Sequence, residues 1–551
     1  MTLAPHVIGR QVLELEVESE RDAFALQQEL GELFRAIVVP AMGALFDRCV
    51  PADVVLRLER LEIDLGRLPR DRLDETLAAR VCEALEAKLA LHLRDIRTED
   101  VERVGESLSR DDHVLVLWHY VLLHGHLPWW ATPASAGTLG SRVLEALESR
   151  DALPPPTARL LREHRVAIQR IALQGDQALL ERLFRLAAAD VSAVSKPVFE
   201  SLLRLIGVRP FEALRPEMVR RHLWQAALEE SVHATAADPQ TRLRSLLRAA
   251  LEASARSASM SYRELLSQLH ERLQAAASRT ARAIPADIRE PLLTALPREG
   301  VAEGKTPSDD LRFTREGPSA QTVGDRDEVA SSHEGNEKGD ASPTRRKRER
   351  AATSPPDHPG ESAMPTERDI LVEAKTRREA VVSEGDVIFV DDAGIALLHP
   401  FLAAHFEKLG LQRDGAFLDD DTRERAVHQV RFLATGEEQS PEPLLVFAKI
   451  MCGLTPGVPI ARSAPLGEYA KTEANALLQA VIRHWGALKN ATPDGLRETF
   501  LRREGRLERK DDGWKLRVES RSYDLLLDRL PWSLSVVRLP WMADVLFVEW
   551  G

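Results

Sequence analysis

Closely spaced histidines are the residues in this chain best suited to chemistry, because a pair at i, i+4 on a helix can share a metal or a proton. The stretch HYVLLHGH carries His119, His124 and His126. His119 and His124 are five residues apart, off the one-face spacing, and no acid shares their turn. In HPFLAAH, His399 and His405 have a similarly poor spacing. Core or capping roles fit both sets better than ligation. The acids of RLEIDLG and LLLDRLPW show no sequence sign of a shared pocket, which a general-acid pair requires. No phosphate-binding loop, nucleophile elbow or dinucleotide fingerprint occurs. Cys49, Cys82 and Cys452 are too scattered for a disulfide framework or a zinc knuckle, and read as buried free thiols of a reducing compartment. The expectation is no catalytic, cofactor-binding or metal residue, and no enzyme.

Tryptophan placement is more informative. Leu-Pro-Trp occurs at 127–129, 530–532 and 539–541, and Trp130 follows the first copy. Proline fixes φ and keeps its predecessor extended, so the next ring leaves the chain at a defined angle. Such a ring can pin a turn to a core, its indole N–H capping a carbonyl, or stand exposed as an anchor for another subunit. Trp129, Trp130, Trp532 and Trp541 are the candidate anchors. With Trp129 and Trp130 adjacent, exposure of at least one is expected; for Trp532 and Trp541 the core is favoured. His399, Pro400 and Trp485 join them from the C-terminal strings below.

The elements that would position these residues divide the 551-residue chain. Hydrophobic residues make up 44%, enough to bury large cores, and aromatics only 5% in a Leu-, Ala-, Arg- and Glu-rich, helix-favouring composition. A net charge of −12 argues against nucleic acid as the main partner. The start has no apolar signal segment and no run of about 18 apolar residues occurs. The expected location is therefore the cytoplasm, with no membrane contact.

QVLELEVES alternates like a half-buried strand, with Leu13, Leu15 and Val17 on one face. Ser19 then caps a helix through Phe24, Leu26, Leu30, Leu33 and Phe34 that Pro40 should bend or break. DVVLRLERLEIDLGRL alternates again, with a bulge at Arg60, before a helix over about 70–95. From about 101 to 295 the periodicity is helical with almost no strand signal. HVLVLWHYVLLHGHLPWW reads as a buried helix stopped by Gly125 and Pro128, and TARLLREHRVAIQRIALQ and its successors as short amphipathic helices.

Only five of the 66 residues of 301–366 are Val, Leu, Ile or Phe, too few to offset the entropy of ordering. This segment reads as a disordered linker. Its RRKRER, 345–350, is read as a solvated charge run rather than a phosphate-binding patch. Helices resume in GIALLHPFLAAHFEKLGL, RAVHQVRFLATG, PLLVFAKIMCG and TEANALLQAVIRHWGALKN, followed by a hairpin turning at DDG and strands in the tail. The expected fold is mostly α with α+β modules at both ends, a helical middle and a disordered linker. The expected domains are 1–98, 99–298, 299–368 and 369–551.

The opening HVIGRQVLELEVESERDAFALQQELGELF…VVLRLERLEIDLGRL resembles that of contractile injection system tape measure proteins, which are encoded with phage-tail-like particles. HGHLPWW, AGIALLHPFLAAHFEKLGL, RFLATG, EPLLVFAKIMCG, VIRHWGALKNATPDGLRETFLRREGRL, YDLLLDRLPW and LPWMADVLFVEW extend the resemblance in order. It covers 6–95, 115–131 and 385–550; the middle helices and the linker match only in character. Asp391-Asp392 stand where Asn before Ala-Gly is common, and Met451 where Leu is common.

The resemblance implies a structural part in building the particle and determining tube or sheath length. The partners implied are tube, sheath, baseplate or terminator proteins, and incorporation into the assembled particle is left open. A ruler threaded along a tube would be one long helix, roughly 830 Å for this length at ~1.5 Å per residue. The linker fully stretched reaches only ~220 Å. Folded ends on a tether therefore favour an assembly or termination factor over a ruler. The alternative is a non-catalytic scaffold or chaperone-like adaptor for effector cargo, with the linker presenting binding segments.

Overall fold

The computed structural model describes residues 6–9, 11–14, 26, 29–50, 54–58, 60–95, 106–208, 214–233, 237–275, 286–296 and 387–550. The expected linker, its basic run, Ser19 and Phe24 lie outside these residues. So does most of the first expected strand; of its described part, residues 11–14 form no ladder, and Val12 and Leu13 are exposed.

Near the N-terminus, Leu26, Leu30, Phe34, Val38, Met42 and Leu45 are buried along one helical stripe. Pro40 does not stop that helix. The path widens to a π turn over Phe34–Val38, where Val39 N–H bonds Phe34 O, and continues as α1 (Val39–Cys49). The widened turn falls just before Pro40, so the missing donor and the ring are accommodated there. Leu73, Leu77, Val81 and Leu85 of α2 (Leu73–Asp95) complete this core. Leu61, Ile63 and Leu65 pack on it with alternating burial, yet the strand there is only β1 (Val54–Arg57). Its partner is β2 (Glu106–Ser109), antiparallel, in a stretch read from sequence as nearly strandless. ESLS has no apolar alternation, so only pairing with β1 reveals the strand.

The helical part runs through α3 (Arg110–His124), α4 (Pro133–Glu148), α5 (Pro155–Glu163), α6 (Arg165–Gln174), α7 (Gln177–Ala187), α8 (Ala189–Val208), α9 (Pro216–Val232), α10 (Pro239–Ser257), α11 (Tyr262–Ala275) and α12 (Ala286–Ala295). Ser109 caps α3 by accepting Asp112 N–H, and Gly125 closes it at φ 75°, a left-handed conformation that suits glycine. The single helix read over TARLLREHRVAIQRIALQ is two, separated at His164, whose extended backbone (φ −128°, ψ 95°) turns the chain between apolar faces.

The C-terminal part holds a five-stranded sheet in the order β3 (Val387–Val390), β6 (Gly505–Lys510), β7 (Gly513–Val518), β9 (Val545–Trp550), β8 (Val536–Val537). The β6–β7 hairpin turns on Asp511-Asp512, and β7 pairs with β9 in parallel. On one sheet face Ile388, Val390, Leu507, Leu516, Val518, Leu546 and Val548 are buried with α13 (His399–Lys408), α14 (Asp420–Thr435), α15 (Val446–Met451) and α16 (Glu468–His484). A small ribbon, β4 (Gln412–Arg413) and β5 (Ala416–Phe417), joins α13 to α14. The fold is thus mainly helical, with its main sheet at the C-terminus. The described residues belong to one compact unit. Among the described residues no helix is long and apolar enough to cross a membrane.

Candidate functional site

The Leu-Pro-Trp copies pin their turns in different cores. After Gly125 the chain buries Leu127 and Trp130, whose ring lies 5.1 Å from that of His113. Trp129 is half-buried against Gly9, where an added Cβ would meet the ring at 2.5 Å. Its indole N–H has no acceptor among the described residues. Trp532 is half-buried, donates to Leu397 O at 3.2 Å and meets Phe401 edge-on at 5.1 Å. Trp541, also half-buried, donates to Met451 O at 2.8 Å and stands between Phe417 at 4.9 Å and Phe406 at 5.4 Å. Each indole therefore joins a tail turn to the end of a helical segment. Trp485 is fully buried, donates to Leu526 O at 3.2 Å and packs on Phe500 at 4.7 Å. His399 caps Ala396 O at 3.0 Å, with Pro400 beside it in the first turn of α13. The structure gathers Trp485, Trp532, Trp541, His399 and Pro400 around the C-terminal core; Trp129 and Trp130 sit apart, on the helical one.

The two cores meet at a buried ionic joint. Arg170 of α6 is 1% exposed and Glu442 and Lys449 are 0%. Arg170 Nε donates to Glu442 Oε2 at 2.8 Å, one Nη to Gly457 O at 2.7 Å, and the other to Leu122 O. Lys449 Nζ reaches Glu442 Oε1 at 2.6 Å and Pro456 O at 2.9 Å. Gln174 accepts Glu442 N–H at 3.0 Å and donates to Ile460 O at 2.7 Å, while Arg462 N–H bonds Leu173 O at 3.2 Å. One glutamate thus holds a cation from each part, and the loop at 456–462 is stitched to α6.

Local chemistry explains why this joint closes. The tight α3 stop lets HGH approach it: a Cβ at Gly125 would fall 2.7 Å from Pro456 O, 2.8 Å from Glu442 Oε1 and 2.9 Å from Arg170 Nη. The backbone around Glu442 is a 3₁₀ turn entered through Pro441, which aims the carboxylate inward. Burial pulls Lys449 down to about 8, against the opposing pull of Glu442. Burial also lowers His126 to about 4, so this imidazole is neutral beside two cations. His119, likewise lowered to about 4 by burial, lies 2.9 Å from Thr157 Oγ1. The charges of the joint are thus paired and hydrogen-bonded within full burial, where each bond is electrostatically strong.

Two further buried cations brace the C-terminal core. Arg431, 3% exposed, meets Asp391 at 2.6 Å and Asp392 at 3.0 Å. Burial raises Asp392 to about 7, with Arg431 opposing and Asp391 adding to the rise. Arg503 is fully buried, paired with Asp524, and its guanidinium stands 5.0 Å from the Tyr523 ring and 5.6 Å from the Trp550 ring. His405, lowered to about 4 by burial, lies 3.0 Å from Gln429 Nε2. Cys452 is buried, while Cys49 and Cys82 are only half-buried, contrary to the expectation that all three are buried. Among the described residues no three His, Cys, Asp or Glu converge to hold a metal.

The joint was not read from the sequence, yet it had a signal. Arg170 in AIQRIAL and Lys449 in LLVFAKIMCG are single charges inside apolar runs, and Glu442 stands between two prolines. A lone charge on an apolar face implies a buried partner, but the partner of Arg170 is 272 residues away.

A family model described as contractile injection system tape measure protein matches residues 5–550, the helical middle included. No curated protein and no solved structure matches the chain.

Proposed function

We propose, because the chain belongs to the contractile injection system tape measure family, that it is a structural assembly factor which sets particle length as a folded body. The observation that carries this reading is the Arg170–Glu442–Lys449 joint. It locks the helical part to the C-terminal part at full burial. A protein threaded along a tube as a ruler would instead need long continuous helix. The longest helix among the described residues, α2, has 23 residues, about 35 Å at ~1.5 Å per residue. The family is structural, and the gathered side chains pair with one another rather than face an open pocket with a nucleophile and base. The partners are the tube and sheath subunits whose stacking must start and stop.

The test is electron microscopy of particles from strains with the gene intact and deleted. Missing particles, or particles of scattered length, are expected on deletion. Normal particles of uniform length would overturn the proposal.

A further inference from the structure

A small cleft opens where α13 ends, α14 passes and α16 begins. Leu409, Leu411 and Leu466 give it an apolar lining, and it holds about 110 Å³. An apolar cavity of about 150 Å³ takes a benzene ring, so this one suits a single branched aliphatic side chain.

Arg425 of α14 lines the same cleft and is half-buried, yet it makes no ion pair or hydrogen bond among the described residues. The acids of its own helix end do not bridge it: Asp419 is the cap, accepting Thr422 N–H at 2.8 Å, Asp420 is exposed, and Asp421 stands 3.8 Å from Arg215. On α16, Glu468 is held by Lys471 at 3.0 Å and Glu473 by Lys408 at 2.5 Å. The remaining wall is the first turn of α16, at Gly467, Tyr469 and Ala470. Gly467 has no side chain to cap that turn, so its N–H groups keep the partial positive charge of a 17-residue helix.

Gln429, also part of the lining, is fully buried. Its Nε2 donates to Ala470 O and to His405 Nε2, both at 3.0 Å, which fixes the orientation of the amide. Oε1 has no donor among the described residues, and a buried acceptor of this kind calls for one. An apolar cup for one side chain, a guanidinium beside uncapped helical N–H groups, and an acceptor open to an N–H match the three parts of a peptide's last residue. Carboxylates bind both to arginine, in bidentate fashion, and to helix N-termini. A free fatty acid would fill the cup and meet Arg425 but bring no donor to Gln429.

We propose that this cleft captures the C-terminal carboxylate of a partner protein whose last residue is Val, Ile or Leu. The proposal does not depend on the assembly role above. The test is isothermal titration calorimetry of the full chain with four probes: acetyl-GSGSL with a free carboxylate, its C-terminal amide, acetyl-GSGSG, and isovalerate. The variants are Arg425→Gln, the charge-keeping Arg425→Lys, and Ala470→Leu, which fills the cleft, each checked for an unchanged melting curve. Saturable binding of the free Leu-ended peptide is expected. Amidation, the glycine ending, Arg425→Gln and Ala470→Leu should each weaken it at least tenfold, and Arg425→Lys less. The amide and glycine probes act on the unaltered chain, so the outcome stands even where a variant melts early. A Leu-ended peptide that does not saturate by ~1 mM, binding insensitive to amidation or to Arg425→Gln, or isovalerate binding as tightly as the peptide would overturn the proposal.

Discussion

Replacing Glu442 with Gln keeps its shape and removes the charge shared by Arg170 and Lys449. Both cations then stay buried, at 1% and 0% exposure, without a counter-charge. Removing one partner of a buried pair costs ~3–5 kcal/mol, so the folding equilibrium should fall roughly 140- to 3700-fold at ~1.4 kcal/mol per factor of ten. Urea titration gives the global loss, and hydrogen exchange over 120–127 and 442–462 shows where opening begins. Adding Lys449→Met to Glu442→Gln should recover ~1–3 kcal/mol, since it removes one of the two uncompensated cations at the cost of the bond to Pro456 O. The wild type should also gain stability from pH 8 to about 10.5, because Lys449 titrates at about 8 in the folded chain and the unfolded chain keeps its proton longer. Lys449→Met should lack that gain. Additive single and double variants, or a Glu442→Gln loss below ~1 kcal/mol, would refute the view that this joint holds the two parts together.

Other outcomes follow from the same geometry. Gly125→Ala should cost at least ~2 kcal/mol in urea titration, from left-handed backbone strain and three close contacts. Gly137→Ala, in a helix with open space at its Cβ, should be neutral or stabilising by up to ~1 kcal/mol. Trp541→Phe should cost ~1–3 kcal/mol by leaving Met451 O without its indole donor, and Trp129→Phe less than ~1 kcal/mol, since its N–H has no acceptor among the described residues; fluorescence-monitored unfolding compares the two. Asp392 is raised to about 7 by burial, so between about 4 and 7 the folded chain holds a proton that the unfolded chain has lost. Stability should fall as pH rises through that window, and Asp392→Asn should flatten the fall in the melting temperature.

What the sequence made legible was local. The apolar run of α3 and its Gly125 stop, the Asp511-Asp512 turn and the glycine-closed helices α14 and α15 each carry their signal within a few residues. Pro40 misled because a π turn upstream absorbs it, and β2 was missed because its strand character comes from β1. The tryptophans were conspicuous by spacing, but which carbonyl each caps depends on segments up to 135 residues away. Arg170 and Glu442 lie 272 residues apart, and no periodicity links them. Pairing at that range is set by how two cores dock, which a single chain of letters does not encode locally.

If a folded body rather than contour length sets the particle, particle length is independent of how long the segment 301–366 is. The direct measurement is the length distribution, by electron microscopy, of particles built with 30 residues removed from within 301–366. An extended segment of that size spans ~100 Å. Particles of unchanged length are expected; particles shortened in proportion would show that the chain measures by its own extent.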